Sequence, residues 1–190
     1  MNEIRLLICA ALLPSGLLVG CLADDEASTV PAASPEVVLI DEDDRQSVEA
    51  LSAMNAEMRK NESGFITFID VSERDDVTDA TFQYFSGLPQ LTELHAIYTN
   101  ISGSGLQHLS EADALENLDL YACPITDESL VHIANLKRLR SLNLIGSKIS
   151  DDSIPILSQF QNLEYLGMPS QISDAGRARL GEALPNCELD

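Results

Sequence analysis

Leucines recur every 24 residues through the second half of the chain, and this interval limits the possible folds more than any other feature of the sequence. The first series is Leu91, Leu115, Leu139 and Leu163, and the second is Leu94, Leu118, Leu142 and Leu166. Isoleucines keep the same step at Ile101, Ile125 and Ile149. A fixed period of roughly 20–50 residues is typical of solenoids, in which stacked units share one core.

Each unit combines a short strand, a turn and a short helix. The segment Leu118-Asp119-Leu120 alternates inward and outward side chains, as a strand does. Thr126 is then expected to cap a helix, with Asp127 at its positive end. Leu130 and Ile133, three residues apart, share one inward helical face. The same cap pair recurs as Thr78-Asp79, Ser150-Asp151 and Ser173-Asp174, whereas Ser102-Gly103 lacks the acid.

The repeated pattern L-x-x-L-x-L, followed by Ile, a polar cap residue and L-x-x-L, resembles the leucine-rich-repeat family of the ribonuclease-inhibitor-like type. The resemblance covers residues 64–190. It implies an α/β solenoid with a parallel β-sheet on the concave side, short helices on the convex side and a protein-binding role. It also implies that Cys123 is a buried turn residue that hydrogen-bonds the turn, with Thr99, Ser147 and Ser170 as its counterparts.

Both ends of a solenoid need closing. Residues 45–63 predict an N-terminal cap, in which a helix carries Val48, Leu51 and Met54 on one stripe and a strand then pairs with the first repeat. At the other end, residues 183–189 resemble the closing segment of bacterial repeat proteins. Cys187 and Leu189 are expected to pack under the last coil.

The first 20 residues have the pattern of a bacterial lipoprotein signal peptide. A short apolar stretch, too short to span a bilayer, ends in Leu18-Val19-Gly20-Cys21, which resembles a lipobox whose Cys21 receives a diacylglyceryl group. Because Leu22 and not an acid follows, we expect an outer-membrane location in the cell envelope. The alternatives are an ordinary cleaved signal or a buried anchor helix with Cys21 incidental. If the signal is misinterpreted, a cytoplasmic adaptor is the fallback.

Residues 21–44 predict an acidic, disordered linker after the lipidated cysteine. It contains eight acids and no base: Asp24, Asp25, Glu26, Glu36, Asp41, Glu42, Asp43 and Asp44. Such a segment cannot bury enough apolar surface to offset its ordering entropy, and its charges keep it extended. The apolar exception, residues 37–40, either docks on the domain or belongs to a simple spacer. The net charge of −20 argues against nucleic-acid binding.

The sequence offers little support for a catalytic or metal-binding function. No nucleophile elbow, P-loop, H-E-x-x-H or C-x-x-C motif is present, so we expect no enzyme, cofactor or metal. His108 and His132 lie one repeat apart and could form half of a metal site, but a surface ladder without a third ligand is the simpler interpretation. Cys123 and Cys187 lie about three coils apart and are predicted to be free thiols.

Stacking the coils predicts three columns of side chains on the concave side. They are Phe68, Glu93, Asn117, Ser141 and Tyr165; then Asp70, His95, Asp119, Asn143 and Gly167; then Ser72, Ile97, Tyr121, Ile145 and Pro169. The third column is apolar over three coils, so we expect Ile97, Tyr121 and Ile145 to anchor a partner, with His95 and Asp119 selecting it. The alternative is that the domain's own loops cover the column or that it only aids sheet packing.

The sequence thus favours a monomeric, membrane-anchored recognition module that binds another protein. The second interpretation is a structural spacer or assembly component of the envelope without a specific ligand. Fold alone does not separate these classes, because function depends on the site.

Overall fold

The structure, a computed structural model of the chain, describes residues 43–190. Within this range seven strands form one sheet in sequence order. The strands are β1 (Glu57–Lys60), β2 (Ile66–Asp70), β3 (Glu93–His95), β4 (Asn117–Asp119), β5 (Ser141–Asn143), β6 (Tyr165–Gly167) and β7 (Glu188–Leu189). β1 runs antiparallel to β2, and every later pair is parallel. The predicted signal peptide (1–20), Cys21 and the linker up to residue 42, including residues 37–40, lie outside the described residues.

The 24-residue period fixes the register of the parallel strands. Leu94 pairs with Leu118, Leu118 with Leu142, and Leu142 with Leu166, so the second leucine series forms one inward row. Ile69 precedes this row and pairs with Leu94 across a 25-residue step. The turn after β2 absorbs the extra residue without shifting the register.

The return segments are mostly 3-10 helices. They are η1 (Asp79–Gly87), η2 (Ser104–Leu109), η3 (Asp127–His132) and η4 (Asp151–Ser153), and η4 continues into the one-turn α2 (Ile154–Leu157). A longer α-helix, α3 (Asp174–Ala183), follows β6. The 3-10 form suits these segments because it aligns residues three apart, and the inward pairs, such as Leu106 with Leu109 and Leu130 with Ile133, have that spacing.

The leucine series builds one continuous core between the sheet and the helices. Leu91, Leu115, Leu118 and Leu142 are all fully or almost fully buried. Side chains of neighbouring coils form a single apolar cluster that runs from Leu51 to Leu184. No coil buries its own leucines alone, so the coils stabilise one another.

A helix and a strand close the N-terminal end of the sheet. α1 (Arg45–Ala53) begins at Asp44, whose carboxylate accepts hydrogen bonds from the Ser47 amide and hydroxyl at 2.8 Å. Leu51 is fully buried, while Val48 and Met54 pack against the same core. β1 then covers the free edge of β2 in antiparallel register. The solenoid therefore begins with a helix-strand cap.

At the C-terminal end, β7 pairs with β6 and completes the sheet. Cys187 and Leu189, the latter within β7, are partly exposed and pack against this end of the core. No helix among residues 43–190 has both the length and the hydrophobicity that crossing a bilayer requires.

Candidate functional site

The predicted columns are present along the parallel strands β3 to β6: the first column holds the first residue of each of these strands, and the second column holds the last. Glu93, Asn117 and Ser141 are lateral neighbours, and so are His95, Asp119 and Asn143 in the next column. The third column follows the strands directly, where the ladder of backbone bonds continues into the turn. The Tyr98 amide donates to the Tyr121 carbonyl at 3.0 Å, and the Ala122 amide donates to the Ile145 carbonyl at 2.7 Å. The sequence-predicted neighbours Ile97, Tyr121 and Ile145 thus lie side by side, all partly exposed.

A left-handed residue follows the third column in four consecutive coils. These residues are Glu73, Tyr98, Ala122 and Gly146, with φ of 58°, 52°, 56° and 80°. Only Gly adopts this backbone freely, and a bulky residue there is uncommon. An added Cβ at Gly146 would lie 3.0 Å from the Ala122 Cα. Tyr98 is the one aromatic residue in this row.

Tyr98 is the residue that the sequence analysis missed. Its side chain is 56% exposed, a value that it shares with Val131 among the large hydrophobic residues of the described chain. Its ring stands edge-on to the Tyr121 ring, with centroids 5.3 Å apart. Interaction with the neighbouring Tyr121 hydroxyl raises the pKa of Tyr98, with smaller effects of desolvation and of the Glu73 charge. We call Ile97, Tyr98, Tyr121 and Ile145 the tyrosine patch.

The signal for Tyr98 was present in the repeat alignment. Tyr98, Ala122 and Gly146 occupy equivalent positions 24 residues apart. The series contains the two smallest residues and one aromatic residue. A tight turn leaves no room for an aromatic side chain to point into the core, so Tyr98 is expected to point outward. Strand alternation defines the columns, and Tyr98 lies in a turn, so no column contains it.

Several members of the predicted columns are not on the open surface. Phe68 is only 5% exposed, because Arg59 of β1 lies over its ring at 3.5 Å from the centroid. Gly167 and Pro169, at the other end, are buried. The columns therefore do not face solvent over their whole length. In the third column, Ser72, Ile97, Tyr121 and Ile145 are partly exposed, and only Pro169 is buried.

The two polar residues predicted to select the partner already have local contacts. The His95 Nε2 lies 2.9 Å from a Glu93 carboxylate oxygen, and its ring packs edge-on against Phe68. The Asp119 carboxylate accepts a hydrogen bond from the Tyr121 amide at 3.0 Å and so shapes the turn that presents Tyr121. Both side chains are partly exposed beside the tyrosine patch. A role for them in selection stays a prediction.

An acidic groove adjoins the tyrosine patch on the side of the N-terminal cap. It has a volume of about 490 Å³ and is lined by Asn55, Glu57, Asp70, Ser72, Glu73, Arg74 and Ile97. The Arg74 guanidinium is occupied, since it donates to the backbone carbonyls of Met54 and Asn55. Ile97 belongs to both the groove and the patch, so the two surfaces are continuous.

The acids at the helix starts have a structural role that differs from the one predicted. The Asp127 carboxylate accepts hydrogen bonds from the Ser150 amide and hydroxyl, each at 2.8 Å, and from the Ser153 hydroxyl of the next coil. Asp79 contacts residues 102–105 of its following coil in the same way, and Asp151 contacts Ser173. These aspartates therefore join neighbouring coils, and capping of their own helices does not account for them fully.

The hydrogen bonds also set the acidity of these carboxyls. Partial burial opposes ionisation of Asp127, but hydrogen bonds from Ser150 and Ser153 outweigh it and hold the pKa below its usual value. The same balance, with donors from residues 102–105, lowers the pKa of Asp79.

The cysteines and histidines form no further site in the described chain. The buried Cys123 thiol donates to the Ala96 carbonyl at 2.9 Å and lies 3.3 Å from the Thr99 hydroxyl, and its burial raises its pKa. Cys123 therefore bonds the turn, as the resemblance implies. Cys123 and Cys187 are both free thiols. Within residues 43–190, His108 and His132 belong to no group of three potential metal ligands.

Comparison with known proteins identifies the fold through structure alone. Neither a protein-family model nor a curated protein matches the sequence. An internalin from Listeria monocytogenes is similar in structure, with a TM-score of 0.54 and 19% identity, over 76% of this chain and 41% of that one. This chain thus spans less than half the length of the internalin.

Two further structures are similar at the same level. The second actin-binding site of leiomodin-1 has a TM-score of 0.55 and 14% identity, over 74% of this chain and 87% of that one. The tropomodulin C-terminal domain of Caenorhabditis elegans has a TM-score of 0.54 and 16% identity, over 74% and 90% of the two chains. The fold predicted from the leucine period is confirmed: the described chain is a leucine-rich-repeat α/β solenoid.

Proposed function

We propose that this protein is a recognition module that binds another protein through the tyrosine patch at the carboxyl ends of its parallel strands. The observation that carries the proposal is the exposed Tyr98–Tyr121 pair, in line with Ile97 and Ile145. Aromatic side chains in a contiguous apolar surface are the residues that most often dominate binding energy. A fold stabilised only by coil stacking does not require such a surface.

The structure also bears on the alternative that the apolar column only aids sheet packing. The Tyr98 ring packs edge-on against the Tyr121 ring, yet Tyr98 as a residue is more than half exposed. Its backbone conformation costs roughly 1–2 kcal/mol for a bulky residue. A conformation that is unfavourable for folding and that presents an aromatic ring to solvent favours a role in binding.

The proposal includes a lipid anchor at Cys21 and a location in the bacterial envelope, at the outer membrane. It is supported by the lipobox-like Leu18-Val19-Gly20-Cys21 and by the acidic segment that follows. That segment would hold the domain away from an anionic bilayer. Metabolic labelling with a fatty acid tests the anchor. We expect label on the protein and its loss in Cys21→Ala, whereas a label that survives the substitution would contradict the proposal.

We further propose that the module acts as a monomer, without catalysis, cofactor or nucleic acid. The negative charge of the whole chain supports the last point. The spacer interpretation stays open as an outcome of the binding experiment below.

The test of recognition is partner recovery from membranes with a folded variant. Tyr121→Ser with Ile145→Thr removes the centre of the tyrosine patch, and Val131→Ser on the convex helix η3 is the control. Thermal melting establishes that both variants fold. We expect a stoichiometric partner with the wild type and the control but not with the double variant. Equal recovery with all three would exclude this surface, and no partner with any of them would favour the spacer.

A further inference from the structure

We propose that the tyrosine patch and the acidic groove together bind a positively charged protein segment, one in which a lysine or arginine lies next to an apolar side chain. The inference rests on the proposed recognition function and names the chemistry of the partner. The occupant is a basic segment of another protein, and not a second copy of this chain or its own linker.

The two surfaces offer the two kinds of contact such a segment needs. Tyr98 and Tyr121 provide an exposed apolar surface with hydroxyl groups at its rim. Ile97 continues that surface into the groove, where the carboxylates of Asp70 and Glu73 lie. A residue that reaches the tyrosines therefore places its neighbour beside the acids.

The groove carries an excess of negative charge. Three carboxylates line it, those of Glu57, Asp70 and Glu73, against the Arg74 guanidinium. Glu57 is ion-paired with Arg59 at 3.3 Å, so Asp70 and Glu73 supply the charge that a partner cation would meet. Arg74 is committed to two backbone carbonyls of the N-terminal cap. Asp119, beside Tyr121, adds a fourth carboxylate to the same side. Complementary charge steers a partner to a surface and selects against partners of the wrong sign.

The aromatic rings favour the same partner. The face of a tyrosine ring attracts a cation, and arginine is the side chain that most often uses this contact. The chain itself contains one example, where Arg59 lies over the Phe68 ring at 3.5 Å from the centroid. The exposed ring of Tyr98 offers an equivalent surface to a cation supplied from outside.

Charge also disfavours the other two candidate occupants, the linker of this chain and a second copy of it. The part of the linker before residue 43 has six acids and no base, so the negative charge of the groove disfavours it as an occupant. A second copy would bring a net charge of −20. The bases of the strand-start edge, Arg138 and Arg140, are already paired with Glu116 and Glu164. A basic partner from another protein fits the surface without these penalties.

The experiment measures binding of three short labelled peptides to the full-length chain, purified in a nonionic detergent, by fluorescence anisotropy. One peptide alternates lysine with leucine and tyrosine, the second replaces lysine by glutamate, and the third replaces the apolar residues by serine. We expect the first to bind most tightly and to weaken several-fold at high salt, because exposed charges are screened.

Variants locate the binding. Tyr98→Asn keeps a residue that tolerates the left-handed backbone, and we expect it to weaken binding of the first peptide roughly tenfold. The pair Asp70→Asn and Glu73→Gln removes two charges, and the new amide oxygen at position 70 can still accept the hydrogen bond that the Ser72 amide donates to Asp70 at 2.8 Å. We expect this pair to weaken binding several-fold. The matched control, Glu116→Gln with Glu164→Gln, removes the same charge at the strand-start edge and should leave binding unchanged.

Each other outcome overturns the inference in a recognisable way. Preference for the glutamate peptide with dependence on Tyr98 refutes the basic partner but leaves the recognition surface intact. Binding of the lysine peptide that ignores Tyr98 refutes this surface and the proposed function with it. Self-association in light scattering that Tyr98→Asn abolishes identifies a second copy as the occupant. Binding of none of the peptides up to about 1 mM, the weak end of specific affinity, contradicts the basic partner.

Discussion

Replacing Asp127 tests how neighbouring coils are joined. Its carboxylate accepts three hydrogen bonds from the next coil, two from Ser150 and one from Ser153. The Ser153 side chain is fully buried, so Asp127→Ala leaves its hydroxyl without this acceptor. A hydrogen bond to a charged group contributes roughly 1.5–3 kcal/mol when buried. Because this carboxylate is only partly buried, the lower end of that range applies. Three such bonds would contribute about 4.5 kcal/mol, and screening by solvent reduces this to about 2–4 kcal/mol.

The chain supplies a matched control in Asp174. It has the same place after the helix cap Ser173, but it lies exposed in α3, the last helix, beyond which the structure shows only β7. If these acids acted only through the dipole of their own helix, Asp127→Ala and Asp174→Ala would each cost roughly 0.3–1 kcal/mol. If Asp127 joins two coils, its replacement costs several times more than that of Asp174.

Urea titration followed by circular dichroism measures both free energies of unfolding. We expect the midpoint of Asp127→Ala to fall clearly below that of the wild type and that of Asp174→Ala to stay close to it. Equal losses for the two variants would refute the inter-coil role and restore the capping explanation.

Two further predictions concern acid and the core. In the folded state Asp79 and Asp127 have a pKa below the usual value. The stability that their carboxylates contribute is therefore present at neutral pH. It is lost as the pH falls from the usual carboxyl pKa, about 4, through their lowered pKa. The free energy of unfolding should therefore fall over this acid range, and less steeply in Asp127→Asn than in the wild type. Identical slopes in the two proteins would show that the Asp127 carboxylate does not cause the acid sensitivity. Leu118→Ala and Leu142→Ala should each cost roughly 2–5 kcal/mol, whereas Val37→Ala should cost almost nothing, and the reverse order in urea titrations would mean that the register is wrong.

The stacking of the solenoid was predictable because it depends on one strong regularity. Each inward leucine has a partner 24 residues away, and burial of a continuous apolar row leaves one register. The same logic placed Ile97, Tyr121 and Ile145 next to one another. The cap helix followed from the stripe that contains Leu51, and the structure shows this helix as α1.

The rest depends on contacts that no single repeat contains. The burial of Phe68 requires the hairpin that brings Arg59 over its ring. The role of Asp127 depends on serines of the following coil, although the recurring Asp-to-Ser distance in the sequence would have indicated it. Tyr98 escaped because strand alternation assigns no direction to a turn residue.

Photo-crosslinking in native cells tests the central claim, recognition through the tyrosine patch, most directly. A photoreactive phenylalanine analogue replaces Tyr98 in one variant and Val131 in the other. The two positions are equally exposed, at 56%, and Val131 lies on the convex helix η3. We predict a discrete adduct of the protein with one partner from position 98 and none from position 131. The same adduct from both positions, or from position 131 alone, would contradict the claim.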